Sequence, residues 1–591
     1  MAKTGSMQTD WRHALATLKS DLNLPEEAIG LLALQLKFRL EDIQTVAAEA
    51  ITGGGDDKKC DIVYVDKELQ IGVVAQCYEA ISKKKTEAPA NKASDLNAAI
   101  SWLLTSEIDD LPEGLKGRAD EFRSAINSGE IKQIYIWYVH NLNSSKNVEN
   151  ELKQVEKTTR LALRTFKSSS EINIFAEEIG DKEISRFYSQ AERAVIVTDI
   201  LETRVPDAIE IKSNDWSSVV TTVSGDWLSS LYSKYQTDLF SANLRGYLGS
   251  RTSDSNINNG IKGTAEHDPG NFWVYNNGIT ALVLDYSLGK RTSKGIKLSI
   301  TGISIVNGAQ TTGSLGSLGS VPPALQVPVR FVKSPKESIV SNIVRYNNSQ
   351  NKLQAADFRS TDQIQERLRQ EFSKIPNAEY DGGRRGGASD AIKRSKYALP
   401  SYTVGQSITA FHGDPVTAYD KKSEIWTNES FYRRVFTDRT SARHVVFVFS
   451  LLDQINSRRL ALTQKHRKDE ESLSQIEKSH LRFLNKKGAS YLIVDVIAKS
   501  IETILGRAIP NKFNLQFRGN VSPAAAAKFW APIVDLVLSL SNQLDGAFSR
   551  GRITNEAVQK TVPNFIGVVE SLKAIHQQTF ADFAKQVELV K

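Results

Sequence analysis

The stretch "IKLSITGISIVN" reads as a strand, and at Asn307-Gly308 that pattern stops. The next residues, "GAQTTGSL", are small and hydroxyl-rich, as the start of a helix is. A strand that runs through a tight Asn-Gly turn into a helix restricts the fold more than any other feature. It calls for a sheet with helices packed on it, an α/β arrangement. Helix N-termini leave backbone N–H groups without partners and carry partial positive charge, so such a junction accepts anions readily. Gly308 permits the sharp turn, and Gln310, Thr311 and Thr312 add hydrogen-bonding groups. The plainer alternative is a common tight turn with Thr311 as an N-cap.

Two more amide-rich stretches lie nearby. "YNNGIT", Tyr275 to Thr280, interrupts an otherwise apolar strand, and "RYNNSQNKL", Arg345 to Leu353, sets amides in a helical connection. Three such stretches in one region point to a shared polar pocket for a small polar ligand or nucleic acid. Three independent surface turns are the alternative.

A chain of 591 residues is too long for one hydrophobic core. At its N-terminal end "PEEAIGLLALQLKFRLEDIQTVAAEAI" carries helical spacing. "DIVYVD" and "IGVVAQCY" then read as a hairpin, "KASDLNAAISWLL" as a helix, and "IKQIYIWYVHNL" and "EINIFAEEI" as strands. This makes a first α/β domain, residues 1–193. A second α/β region, 194–400, has strands at "NFWVYNNGITALVLDY", "IKLSITGISIVN" and "VPVRFVK". Beyond "YDGGRRGGASD" the chain turns mainly helical, giving a third domain, 401–591. The fold class is therefore α/β multidomain with a mainly helical C-terminal region.

Composition narrows the chemistry. Two cysteines, Cys60 and Cys77, make no disulfide framework or CxxC metal cluster, and imply a reducing, cytoplasmic compartment. Both are placed on the face opposite Asp61, as buried thiols. "MAKTGSMQTDW" has no apolar core of a secretory signal, and no apolar run approaches the roughly 20 residues that span a bilayer, so no membrane is expected. No histidine lies near the Thr and Ser residues of the junction, which ranks acyl transfer very low. The net charge of +7 permits nucleic-acid contact. From Lys421 to Ser500 there are 16 Lys and Arg against 9 Asp and Glu, so that region carries an excess equal to the whole chain's. Arg458, Arg459, Lys465, Arg467 and Lys468 are its candidate phosphate contacts; a solvated helical surface is the alternative.

The hairpin carries a second constellation. Phosphodiester hydrolysis uses carboxylates to hold a divalent ion and a base or cation near the attacking water. One solution sets an acid on one strand, Glu/Gln-x-Lys on its neighbour, and a further Glu on a preceding helix. Asp61 opens the first strand, Gln76 and Tyr78 share a face of the second, and Glu27 starts the upstream helix. Tyr78 stands where lysine belongs. Lys58 and Lys59 precede Asp61, and Lys83, Lys84 and Lys85 come after it, so a displaced lysine is available. The alternative makes Asp61 a turn residue and Gln76 a satisfied buried amide.

"FSANLRGYLGSRTSDSNINNGIKGT", "FWVYNNGITALV", "ISIVNGAQTTGSL" and "NNSQNKLQAADFRSTDQIQERL" resemble consecutive blocks of the AIPR family, the abortive-infection phage-resistance proteins. "YTVGQSITAFHGDPVTAY" continues the likeness. The family's NNGIT and NGxQT signatures appear as Asn276–Thr280 and Asn307–Thr311. The N-terminal segment is similar to the Mrr-like PD-(D/E)xK nuclease domain common in that family. There "KCDIVY" aligns Asp61, and "AQCY" aligns Gln76 but puts Tyr78 on the lysine. This resemblance implies antiphage defence by a nuclease acting on DNA or RNA. Mg²⁺ or Mn²⁺ would sit on Glu27 and Asp61, with Gln76 orienting the site and Lys83 assisting the water. It equally admits a catalytically degenerate sensor that acts through a partner defence protein. The junction also runs in the order of DGQHR-motif and ParB-like domains, which bind nucleotide phosphates or DNA at the turn after a strand. That likeness implies a nucleotide pocket of Asn276, Asn277, Gly278, Asn307, Gly308, Gln310 and Thr311, faced by Asn348, Gln350 and Asn351. Effectors of this kind assemble, which makes a homo-oligomer an expectation.

Overall fold

The computed structural model describes residues 11–590, apart from 23, 25–26, 41, 53–57, 82–84, 168–171, 193–194, 196, 244–254, 349–358, 360–361, 381, 383–396 and 469–471. The chain begins with helices α1 (Trp11–Leu22), α2 (Ala28–Phe38) and α3 (Ile43–Ala50). The expected hairpin comes next as β1 (Ile62–Asp66) and β2 (Ile71–Tyr78), antiparallel with Ile62 opposite Ala75. Its turn is set by Asp66, whose Oδ1 accepts from the backbone N–H of Glu68 and Leu69. Helices α4 (Ala90–Thr105) and α5 (Glu113–Asn127) lead to β3 (Gln133–His140). Helix α6 (Lys146–Leu163) leads to β4 (Asn173–Ile179), and α7 (Asp181–Glu192) closes the domain. The strand order is β1-β2-β3-β4, with β2, β3 and β4 parallel. Parallel strands need crossovers that cover both faces, so β2 is buried almost throughout.

The period of two along β2 sorts its side chains between two cores. Val73, Ala75 and Cys77 pack with α1, α2 and α7, whereas Val74 and Tyr78 pack with α4, α5 and α6. Gly30 lets α2 ride directly on β2: a Cβ there would come within 2.5 Å of Cys77 Sγ. Both cysteines are buried thiols, but they do not share a face. Cys60 belongs to the α4 side and Cys77 to the α2 side, because the chain enters β1 through left-handed Lys58 and Lys59.

The central region holds a larger mixed sheet. Its strands are β5 (Val197–Val205), β6 (Ala208–Lys212), β7 (Ser217–Ser224), β8 (Ile279–Leu282), β9 (Asp285–Thr292), β10 (Gly295–Asn307) and β11 (Gln326–Lys333). Among the described residues the order is β5-β10-β8-β11-β7-β6, with β9 also on β10; β8 and β11 are parallel and the other pairs antiparallel. Helices α8 (Gly225–Tyr235), α9 (Ser255–His267) and α10 (Ala309–Gly316) lie in the same region. A core of Val223, Leu298, Ile300, Leu315 and Phe331 lies on one face of this sheet. Helix α11 (Glu337–Asn348) covers part of the other face, where Val340, Ile343 and Val344 meet Leu282 and Val306. The strand expected from "NFWVYNNGIT" begins only at Ile279. Phe272–Tyr275 forms one helical turn instead, because Asn276 Oδ1 accepts from Gly278 N–H (2.9 Å) and breaks the run with Gly278 at φ +77°.

From Ser401 the chain is helical around one core. Its centre is α12 (Ala442–Lys468), packed on α13 (Pro523–Ser539), with Trp530 Nε1 donating to Phe447 O. This domain rests on the first one. Gln44 donates to Asp453 (3.0 Å), Lys422 pairs with Asp66 (3.1 Å) and Lys67 with Asp420 (2.9 Å). The two ion pairs line a cavity of about 350 Å³ in the seam between the domains. Among the described residues no single helix is long and apolar enough to cross a membrane.

Candidate functional site

The strand–turn–helix junction forms as expected. Strand β10 ends at Asn307, Gly308 turns with φ +92°, and α10 starts at Ala309. Its N-cap residue, Gly308, has no side chain to cap it; Thr311 is not an N-cap but lies inside the helix, buried. Its hydroxyl is engaged by the other Asn-Gly turn. Asn276 Nδ2 donates to Thr311 Oγ1 (3.0 Å), and Thr311 Oγ1 sits 3.3 Å from Asn276 Oδ1. The NNGIT and NGxQT turns thus lock onto each other. Both need glycine: a Cβ on Gly308 would meet Ile279 Cγ1 at 2.7 Å, and one on Gly278 would meet Pro328 O at 2.6 Å.

Register extends this polar row across the sheet, with Asn307 opposite Thr280 and Thr280 beside Arg330. The exposed Arg330 guanidinium donates to Thr280 Oγ1 (3.1 Å) and to Asn347 Oδ1 (3.2 Å) at the end of α11. The third amide-rich stretch therefore reaches the other two through Asn347. Asn277 is exposed and Gln310 half-buried. Asn348 ends α11, and Gln350 and Asn351 lie outside the described residues. Sequence reasoning passed over Arg330, although a lone cation in the apolar alternation of "VPVRFV" marked it.

In the first domain the structure brings Asp61 and Gln76 into direct contact. Asp61 Oδ2 accepts from Gln76 Nε2 (2.8 Å) and from the backbone N–H of Cys77 (2.6 Å). Gln76 is buried, and its Oε1 has no hydrogen-bond partner among the described residues. Tyr138 stands in register with Gln76 on β3, fully buried, and its hydroxyl likewise has none among them. Burial, with Tyr78 nearby, pushes the Tyr138 phenol well up from its ordinary value. Next along, His140 Nε2 meets Glu178 Oε1 at 2.9 Å. Two unsatisfied buried oxygens on neighbouring strands cost about 1–3 kcal/mol each unless something else binds them.

Lys83 lies outside the described residues. The lysine that reaches Tyr78 is Lys85, whose Nζ donates to the Tyr78 hydroxyl (2.9 Å) and lies over its ring. Glu27 is buried at the start of α2, which packs on the Cys77 face, while Gln76 points to the α4 face. Among the described residues no group of three His, Cys, Asp or Glu could hold a metal ion. Asp61 and Gln76 offer one carboxylate and one amide oxygen. That set suits Mg²⁺, which takes one or two protein ligands and fills its other positions with water and substrate phosphate.

The basic stretch is not laid out as a phosphate track. Arg459 is buried, and desolvation holds its pKa well below the ordinary value. Arg458 pairs with Asp535 (3.1 Å) and Lys465 with Glu477 (2.8 Å), the latter also completing a capping box with Ser474. Of these cations Arg459 is taken up by the interior of the protein, while Arg458 and Lys465 are engaged by carboxylates at its surface. Arg467 and Lys468 end that helix.

The model of the AIPR protein family matches residues 240–545, a span that includes both Asn-Gly turns, Arg330 and most of the helical domain. No curated protein and no solved structure matches the chain. With more than half its length so matched, the chain belongs to the AIPR family, whose name ties it to abortive-infection phage resistance.

Proposed function

We propose that this AIPR protein acts in antiphage defence as a metal-dependent nuclease, with its chemistry at Asp61 and Gln76 and its control in the central junction. The observation that supports this most is the buried Gln76 amide: Nε2 orients the Asp61 carboxylate, and Oε1 is held ready without a partner among the described residues. Asp61 and Gln76 Oε1 would hold Mg²⁺ or Mn²⁺. Such an ion supplies Lewis-acid activation of a phosphodiester and its attacking water. Lys85, carried by Tyr78, takes the place of the motif lysine and supplies positive charge toward the phosphate. Tyr138 presents a neutral hydroxyl donor beside them. The test is incubation of purified protein with plasmid, linear DNA and RNA in Mg²⁺ or Mn²⁺, beside Asp61→Asn. Cleavage lost in the variant supports the reading, and cleavage that survives it ends the reading.

A second reading rests on the outward Arg330. With the N-terminus of α10, which begins at a glycine, it offers an anion two sources of positive charge. In that case the chain is a sensor that binds nucleotide or nucleic acid at the junction and acts through a partner protein. Arg330→Gln would then weaken ligand binding measured by calorimetry, while unchanged binding would remove the pocket.

A further inference from the structure

The central sheet has an open edge that is complementary to itself. Among the described residues strand β6 pairs with β7 alone. Across their turn Ser213 N–H donates to Trp216 O (2.8 Å). Antiparallel pairing alternates, so this bond turns the N–H and C=O groups of Ala208, Glu210 and Lys212 away from β7, toward solvent.

The side chains of the same strand are sorted by face. Ile209 and Ile211 lie on the face that α11 covers only in part, and they are 66% and 48% exposed. Val220, opposite Ile209 on β7, is 38% exposed. Trp273, 49% exposed, extends the apolar surface by donating Nε1–H to Thr222 of β7. On the other face Glu210 and Lys212 sit 2.9 Å apart, and the Tyr286 hydroxyl donates to Glu210. An apolar face beside an unpaired backbone edge is a template for strand addition.

We propose that β6 pairs antiparallel with β6 of a second copy, making a homodimer whose central sheets are continuous. A two-fold axis at Ile211 sets Glu210 opposite Lys212 of the partner subunit, and Lys212 opposite Glu210 of the partner subunit. The outward backbone groups then exchange bonds as two hydrogen-bonded pairs, and each charged residue faces its opposite. Ile211 meets its own copy, and Ile209 with Val220 continues the apolar stripe on both sides. A register centred one residue earlier would set two Glu210 carboxylates against each other, so the charges select one pairing. Neither Asp61 nor Arg330 takes part, so the dimer is independent of the nuclease reading.

The experiment is sedimentation equilibrium on the full chain, with thermal melts as a check on folding. The wild-type chain is expected at twice its chain mass at micromolar loading. Ile211→Lys should give the single-chain mass. Glu210→Lys alone sets lysine against Lys212 and should weaken the dimer about tenfold, as should Lys212→Glu alone. The double exchange, Glu210→Lys with Lys212→Glu, should restore it. All three positions lie on the exposed edge strand, so each variant should still melt in one cooperative transition, shifted down only by the lost dimer and the Glu210 surface contacts. A wild-type monomer overturns the proposal and leaves the face to some other occupant. A dimer that ignores Ile211→Lys, or a double exchange that fails to restore what the single changes break, overturns it too.

Discussion

The four-stranded and the seven-stranded sheets each carry a polar cluster near the end of a strand, and they treat its hydrogen bonds in opposite ways. At the central junction Asn276 and Thr311 satisfy each other, two glycines make room, and Arg330 stays at the surface. In the first domain Gln76 binds Asp61 with one end, and its other end, like the Tyr138 hydroxyl, is buried without a partner among the described residues. The first arrangement lowers the energy of the fold and presents a cation outward. The second gives up stability, which is how a protein keeps groups ready for chemistry. The amides of the junction serve the architecture, and the unsatisfied Gln76 oxygen is the group on which the proposed nuclease reading rests.

The largest way to break this contrast is Gly308→Val. A left-handed φ of +92° and a Cβ against Ile279 should cost about 4 kcal/mol and lower the melting of the central domain, while Asp61 keeps its contacts. Acid extends the comparison to the helical domain. His444 donates Nδ1–H to Leu515 O and takes the Nε2–H of His412. Burial pushes His444 down to about 4 and, with His444 and Lys512 nearby, His412 to about 2. The unfolded chain takes up protons near the ordinary 6.5, before the folded chain does. Stability is therefore full above that value and falls as pH drops toward about 4, by about 3 kcal/mol for His444 alone. Melting curves between about pH 7 and 4.5 should show the loss, and His444→Gln should flatten it. Arg330→Gln should weaken binding of an oligonucleotide about tenfold and reduce its salt dependence by about one counterion, read by calorimetry at several salt concentrations. Asn276→Ala should be the mildest, costing about 1 kcal/mol in a chemical melt, because Asn276 is only half-buried and water can replace part of its bonds to Thr311 and Gly278.

The hairpin of β1 and β2 was legible because β-branched runs flank a short polar turn. The nearness of Asp61 and Gln76 was legible from the pattern of an acid on one strand and Glu/Gln-x-Lys on its neighbour, and the period of two gave only the shared face of Gln76 and Tyr78. The strands β5 to β7 were not named from the sequence. "ILETRVPDAIEIK" carries charges at alternate positions because one face is open, and that masks the apolar signal. "FWVY" favours a strand by residue type, yet a side-chain bond two residues on turned it into a helical turn. The convergence of the two Asn-Gly turns was readable as a shared site, but the partners inside it were not. Tyr138 joins Gln76 only through the β2–β3 register, which a sequence without that alignment does not reveal. The basic run was visible as charge. That Arg459 is buried and Lys465 is held by Glu477 depends on how α12 packs.

The measurement closest to the central claim is Mn²⁺ binding, monitored by electron paramagnetic resonance, with a phosphorothioate oligonucleotide that resists cleavage. The wild-type chain should bind Mn²⁺ at a single site. Asp61→Asn and Gln76→Leu should each lose that site, and Asn276→Ala should keep it. Equal Mn²⁺ binding by all four proteins, or none by the wild type with the oligonucleotide bound, would contradict the assignment of unsatisfied Gln76 to a reacting centre.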